Sequence, residues 1–173
     1  MSERDTMKTI LKKAALAAAL VTVSLSAHAA QTDITLSATI DDSLALLRAD
    51  GSALPDAVKL TYNPAGASAG LNRWVDRVRI YSNDTSKDVE VRLQAPVELI
   101  AKTGSNPNVP MTVELSGRTL STTAVDFTAD ELYDGSIPDA SVAMDLAIAQ
   151  TTRGKLAAGD YEGMASIVLS IKP

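Results

Sequence analysis

The residues best placed to do chemistry in this chain are carboxylates, arginines and hydroxyls, because the usual catalytic and metal-binding types are nearly absent. There is no cysteine and a single histidine, His28. That excludes a disulfide framework, thiolate metal sites and cysteine catalysis, and leaves almost nothing for an imidazole base or ligand. Adjacent carboxylates occur at Asp41-Asp42 and Asp130-Glu131. Paired carboxylates can hydrolyse glycosides or hold calcium. Neither pair has calcium-loop spacing with glycine at the sixth position, however, and neighbours on a strand point to opposite faces. Both read as solvated loop residues. Arg73, Arg77 and Arg79 share one face of an expected strand over residues 73–82, with Val75 between them. Such a row suits an acidic glycan or an acidic neighbour; Asp76 and the acidic stretch 88–90 equally suit an ion-paired sheet surface. Hydroxyls are plentiful, but no G-x-S-x-G turn is present and no histidine base stands ready to activate one. No catalytic, cofactor or metal site is expected.

The elements that must carry these residues begin with a leader. Lys8, Lys12 and Lys13 precede an uncharged apolar run over residues 14–25, and Ala27-His28-Ala29 supplies a small-x-small cleavage pattern. This is the layout of a secretory signal peptide over residues 1–29, too short in its apolar part to remain as a membrane anchor. Cleavage removes the only histidine. It also takes four of the 16 basic and two of the 21 acidic residues, leaving 12 against 19, a net charge of -7. An acidic secreted domain is the wrong sign for a nucleic-acid binder. Small exported domains commonly rely on disulfides to offset a thin core, so this one must be held together otherwise.

Period-two alternation recurs through the rest, the mark of half-buried strands. It is clear at Ile34, Leu36, Ala38 and Ile40, at Val58, Leu60 and Tyr62, and at Val89, Val91 and Leu93. It recurs at Met111, Val113 and Leu115, at Val142, Met144, Leu146 and Ile148, and at Ile167, Leu169 and Ile171. Ser116-Gly117 marks a tight turn into Arg118-Thr119-Leu120. Only residues 127–132 (FTADEL) look briefly helical, with Thr128 as N-cap and Glu131 at capping-box spacing. Trp74 and Phe127, the only Trp and Phe, are expected in the core or a subunit contact. With turn clusters every ten to twenty residues and no composition shift, the expected fold is one all-β sandwich.

The strand at 30–41 has no tight turn joining it to a partner. In a monomer it is simply the first strand of the sandwich. Alternatively, an Ig-like sandwich lacking one edge strand leaves an apolar groove that an extended segment of a neighbour can fill, main-chain bonds supplying the pairing and alternate side chains the fit. Ile34, Leu36, Ala38 and Ile40 would then be the inserted side chains, and the repeated head-to-tail contact would build a filament.

Several stretches, in order along the chain, resemble the major pilins of alpha-fimbriae, the colonisation-factor-antigen type of the alternate chaperone–usher pathway. They are DITLSATID at 33–41, ADGSALP at 49–55, VKLTYNPA at 58–65, SND at 82–84, LSTTA at 120–124 and AGDYEG at 158–163 followed by 167–170. Cable pili of opportunistic Gram-negative bacteria belong to the same family. The resemblance implies an all-β, incomplete Ig-like β-sandwich completed by donor-strand exchange: a donor strand over 30–41 and a pilin domain over 42–173, with an acceptor groove edged by Ile167, Leu169 and Ile171. Its implied partners are copies of itself, a periplasmic chaperone, an outer-membrane usher and a minor tip adhesin, with host-surface receptors in addition. The implied role is the major structural subunit of an adhesive fimbria at the cell surface, without enzymatic activity. Asp42 stands where relatives commonly have proline after the donor strand. The alternative is a monomeric secreted sandwich that binds a ligand, or a minor adhesin of the same system; Arg73, Arg77 and Arg79 are its candidate surface patch.

Overall fold

The computed structural model describes residues 43–172. Twelve strands are found among them: β1 (Leu44–Arg48), β2 (Tyr62–Asn63), β3 (Gly70–Leu71), β4 (Trp74–Ser82), β5 (Val89–Leu93), β6 (Val97–Ala101), β7 (Val109–Leu115), β8 (Arg118–Leu120), β9 (Val125–Phe127), β10 (Met144–Gln150), β11 (Tyr161–Glu162) and β12 (Ile167–Ile171). All pairings are antiparallel. The larger sheet runs β1-β4-β10-β7-β6-β11, with β8 taking the edge of β7 beyond β6, and the smaller runs β12-β5-β9; β2 and β3 form a ladder of their own.

Alternation places the core. Val78 and Ile80 of β4, Val89 and Val91 of β5, and Val113 and Leu115 of β7 turn inward and are sealed from water. With Phe127, Leu132, Met144 and Leu146 they form one cluster between the two sheets. Each aliphatic side chain so buried contributes about 1.5–3 kcal/mol, which is how the sandwich holds without disulfides. Ser116 and Gly117, with φ of 52° and 75°, make the left-handed turn that a two-residue hairpin between β7 and β8 requires. Leu93 N then donates to Ser121 O at 2.7 Å as the chain passes to the smaller sheet.

The helical expectation at 127–132 is met by α1 (Ala129–Leu132), which has a complete capping box. Thr128 Oγ1 accepts from Glu131 N at 3.3 Å, and Thr128 N donates to Glu131 Oε2 at 3.2 Å. Leu132 enters the core at its end. Two expectations fail. Val58–Tyr62 is not a strand: only Tyr62 joins a ladder, in β2, because residues 53–60 find no hydrogen-bond partner among the described residues. Val142 lies outside β10, which begins at Met144; Ser141 just before it is tied to β4 by its side chain, Ile80 N donating to Ser141 Oγ at 2.8 Å.

Register fixes the two ends of the sandwich. Leu44 lies opposite Ser82, and Ser43 N donates to Asn83 Oδ1 at 2.8 Å. Ile171 lies opposite Val89, and Lys172 N donates to Asp88 O at 2.9 Å. Both ends of the described chain therefore meet at the 83–88 loop. Trp74, Ile148 opposite it, and Gln150 opposite Met111 mark the other end.

Candidate functional site

An open groove of about 1160 Å³ runs through the half of the sandwich remote from the 83–88 loop. Its floor is apolar: Trp74 from β4, Val97 and Leu99 from β6, Met111 from β7, and Leu146 and Ile148 from β10. One lip is residues 54–60; the other is residues 156–165, leading to Ile167 at the start of β12. The first lip is the segment that alternates like a strand yet pairs with nothing described. On the far side, β12 pairs with β5 along one edge, and its other edge has no ladder partner among the described residues. Backbone edges of this kind beside an apolar trough are able to pair with an extended segment.

The rim is polar. Lys102 Nζ meets Glu162 Oε2 at 2.8 Å; this hydrogen bond, with the charge behind it, raises the lysine and lowers the carboxylate from their ordinary values. The second lip is pinned by the β11–β6 ladder and by Lys102 N donating to Asp160 O at 2.8 Å. No group of three acidic, histidine or cysteine residues able to hold a metal occurs among the described residues.

The residues singled out from sequence separate into three groups. Ile34, Leu36, Ala38 and Ile40 lie outside the described residues, as do Asp41 and Asp42. Ile167, Leu169 and Ile171 all lie on β12, opposite Leu93, Val91 and Val89; Ile167 reaches the groove lining, while Leu169 and Ile171 do not. Arg73, Arg77 and Arg79 share the outer face of the β4 region with Val75, away from the groove. Arg73 pairs with Glu114 at 3.0 Å and Arg77 with Asp145 at 3.4 Å, while Arg79 donates to Ser141 O. Much of that row's charge is thus compensated within the sheet. Asp130-Glu131 opens α1, and Glu131 is further held by Arg118 Nη2 at 2.8 Å. Trp74 belongs to the groove, Phe127 to the core beneath the Arg118 guanidinium. Sequence reasoning missed the floor residues on β6, β7 and β10 as a site, because they carry the same apolar signal as any core.

The sequence model for the CS1 type fimbrial major subunit matches residues 30–170. A CFA/I fimbrial protein of Escherichia coli is 38% identical over 167 residues, covering 92% of this chain and 97% of that protein. A CS1 fimbrial protein of Escherichia coli is 34% identical over 168 residues, with the same coverage of 92% and 97%. The structure of the CooA pilin from enterotoxigenic Escherichia coli superposes with a TM-score of 0.65 at 33% identity, over 74% of this chain and 86% of that one.

Proposed function

The chain belongs to the CS1 type fimbrial major subunit family, and from that premise we propose that residues 30–41 of one subunit complete the groove of the next. The protein is a major structural subunit of a surface fimbria, a chaperone–usher pilus. Its family is one of structural proteins rather than enzymes.

The observation that carries the reading is the meeting of an apolar trough with two backbone edges that have no ladder partner among the described residues, the trough lying at the end of the sandwich opposite Ser43 and Leu44. A segment continuing outward from the 83–88 loop would point away from its own groove mouth and toward a neighbour's. Inserted from a neighbour, it would run antiparallel to β12, as every other pairing here does. Folded back into its own groove, it would run parallel to β12 and need a reversal at residues 42–43. Ile34, Leu36 and Ile40 would each contribute about 1.5–3 kcal/mol of burial on the floor, and Ala38, being smaller, less. The edge of Ile167, Leu169 and Ile171 and the lip at 54–60 would supply the ladders. Residues 1–29 would direct export. A periplasmic chaperone would shield the groove before assembly, an outer-membrane usher would pass subunits outward, and a minor adhesin would stand at the tip.

Removing residues 30–41 tests the proposal. Electron microscopy of cells producing the shortened chain should show no fibres, with the folded domain still made. Fibres of unchanged appearance would overturn it.

A further inference from the structure

We propose that the Asp134-Gly135 peptide is a site of spontaneous backbone isomerisation, at which the folded protein converts aspartate to isoaspartate, while the matching Asp50-Gly51 peptide is protected by its turn. These are the two Asp-Gly steps of the chain, each followed by serine, at 50–52 and 134–136. Glycine has no side chain to hinder attack by its own nitrogen on the carboxyl carbon before it. In both places the aspartate curls over the peptide that follows, accepting at Oδ1 from the backbone N of Ser52 or of Ser136, each at 2.9 Å. Such an Asx turn brings Cγ toward the glycine nitrogen. The reaction needs no reagent but water. Gly135 N bonds to Asp134 Cγ, the protonated carboxyl loses its OH with the amide proton as water, and a five-membered succinimide forms. Water then adds to the main-chain carbonyl carbon of Asp134, its bond to nitrogen breaks, and the chain is left running through Cγ.

What separates the two steps is the glycine nitrogen. Gly51 N donates to Arg48 O at 2.8 Å, so attack must first break that bond. The turn around it is closed, Arg48 N donating to Ser52 O and Ala49 N to Arg77 O, each at 2.8 Å. Ser52 Oγ adds a second bond to Asp50 Oδ1 at 2.6 Å, and a Cβ at Gly51 would meet the Tyr81 hydroxyl at 3.6 Å. Gly135 N, by contrast, has no acceptor among the described residues. Residues 134–139 are all exposed, and a Cβ at Gly135 would meet nothing within 4 Å. This loop is fastened at its ends, by Tyr133 N to Ala129 O at 2.8 Å and by Ser82 N to Asp139 O at 2.9 Å, which leaves the ring room to close. Protonation does not separate the sites. Hydrogen bonds from Ser52 and Ser136 hold both carboxyls below the ordinary range, with Arg48 near one and Arg79 near the other. A subunit built into a surface fimbria is not renewed in place, so the product would collect with the age of the fibre.

The test ages the full-length chain at neutral pH, folded in one arm and unfolded in guanidinium chloride in the other, until the unfolded arm shows product. Isoaspartate is located by enzymatic methylation of isoaspartyl carboxyls and peptide mapping. In the folded arm Asp134 should convert roughly two- to tenfold faster than Asp50, the span set by one hydrogen bond of ordinary net worth. Unfolding should erase the preference, because both sites read Asp-Gly-Ser. Asp134→Glu, whose longer side chain would need a six-membered ring, should abolish the product there and leave Asp50 unchanged. Conversion at Asp50 equal to or faster than at Asp134 in the folded arm would overturn the proposal, as would a folded arm in which neither site converts. A preference of the same size in the unfolded arm would also overturn it, since local sequence and not the fold would then be its cause.

Discussion

Gly163 shows how much a single atom decides at the groove. A Cβ built there would stand 2.2 Å from the Glu98 carbonyl oxygen and 3.0 Å from Leu99 Cδ2. The obstacle is backbone, which cannot swing aside like a side-chain tip, and Leu99 is part of the groove floor. Gly163→Ala must therefore lever the second lip away from β6. We expect a destabilisation of about 1–3 kcal/mol, the usual cost of overpacking, seen as a lowered thermal midpoint, together with fewer fibres per cell. An unchanged midpoint would mean that the lip gives way freely. In the sequence Gly163 is only the last residue of the AGDYEG stretch at 158–163. Its need comes from a neighbour 65 positions earlier, which no local pattern reports.

Among the elements, α1 is short enough to depend on its cap. Four residues cannot sustain a helix by propagation, so Thr128 and Glu131 fix it where Leu132 must enter the core. Thr128→Ala should cost about 1 kcal/mol, measured as a shift in urea midpoint at constant slope. This helix was legible because its cap chemistry is local. Strands β5 and β7 were legible for the same kind of reason, one face sealed and the other wet. β1, whose sequence is LALLR, was not, since an apolar run without alternation says nothing of its edge. Residues 58–60 alternate as a strand but have no ladder partner among the described residues, so pattern and structure part company there. Of the edge implied by family resemblance, Ile167 alone lines the groove; the floor and the first lip required the packing of distant segments.

For the molecule as a whole, the charged groups define a broad plateau of stability. Hydrogen bonds from Ser52, Ser86 and Ser136 hold Asp50, Asp84 and Asp134 below the ordinary carboxylate range, and Arg118 and Lys102 do so for Glu131 and Glu162. Depressed carboxylates stabilise above their unfolded pKa and lose that contribution as pH falls through the folded one. Lys102 and Lys172 are raised by Glu162 and Asp126, so their contribution holds below the unfolded pKa and fades as pH climbs through the folded one. Residues 30–173 contain no histidine to titrate between. The thermal midpoint should therefore stay flat from about pH 5 to about pH 10 and decline outside, gently because these groups are exposed. A step near pH 6–7 would contradict this account. The separation of departure point and groove mouth to opposite ends of the sandwich also has a mechanical meaning. If, as proposed, residues 30–41 of one subunit fill the groove of the next, tension in the fibre would act along the inserted segment and every rung of its ladder would resist in shear at once, whereas a sideways pull would unzip them one at a time.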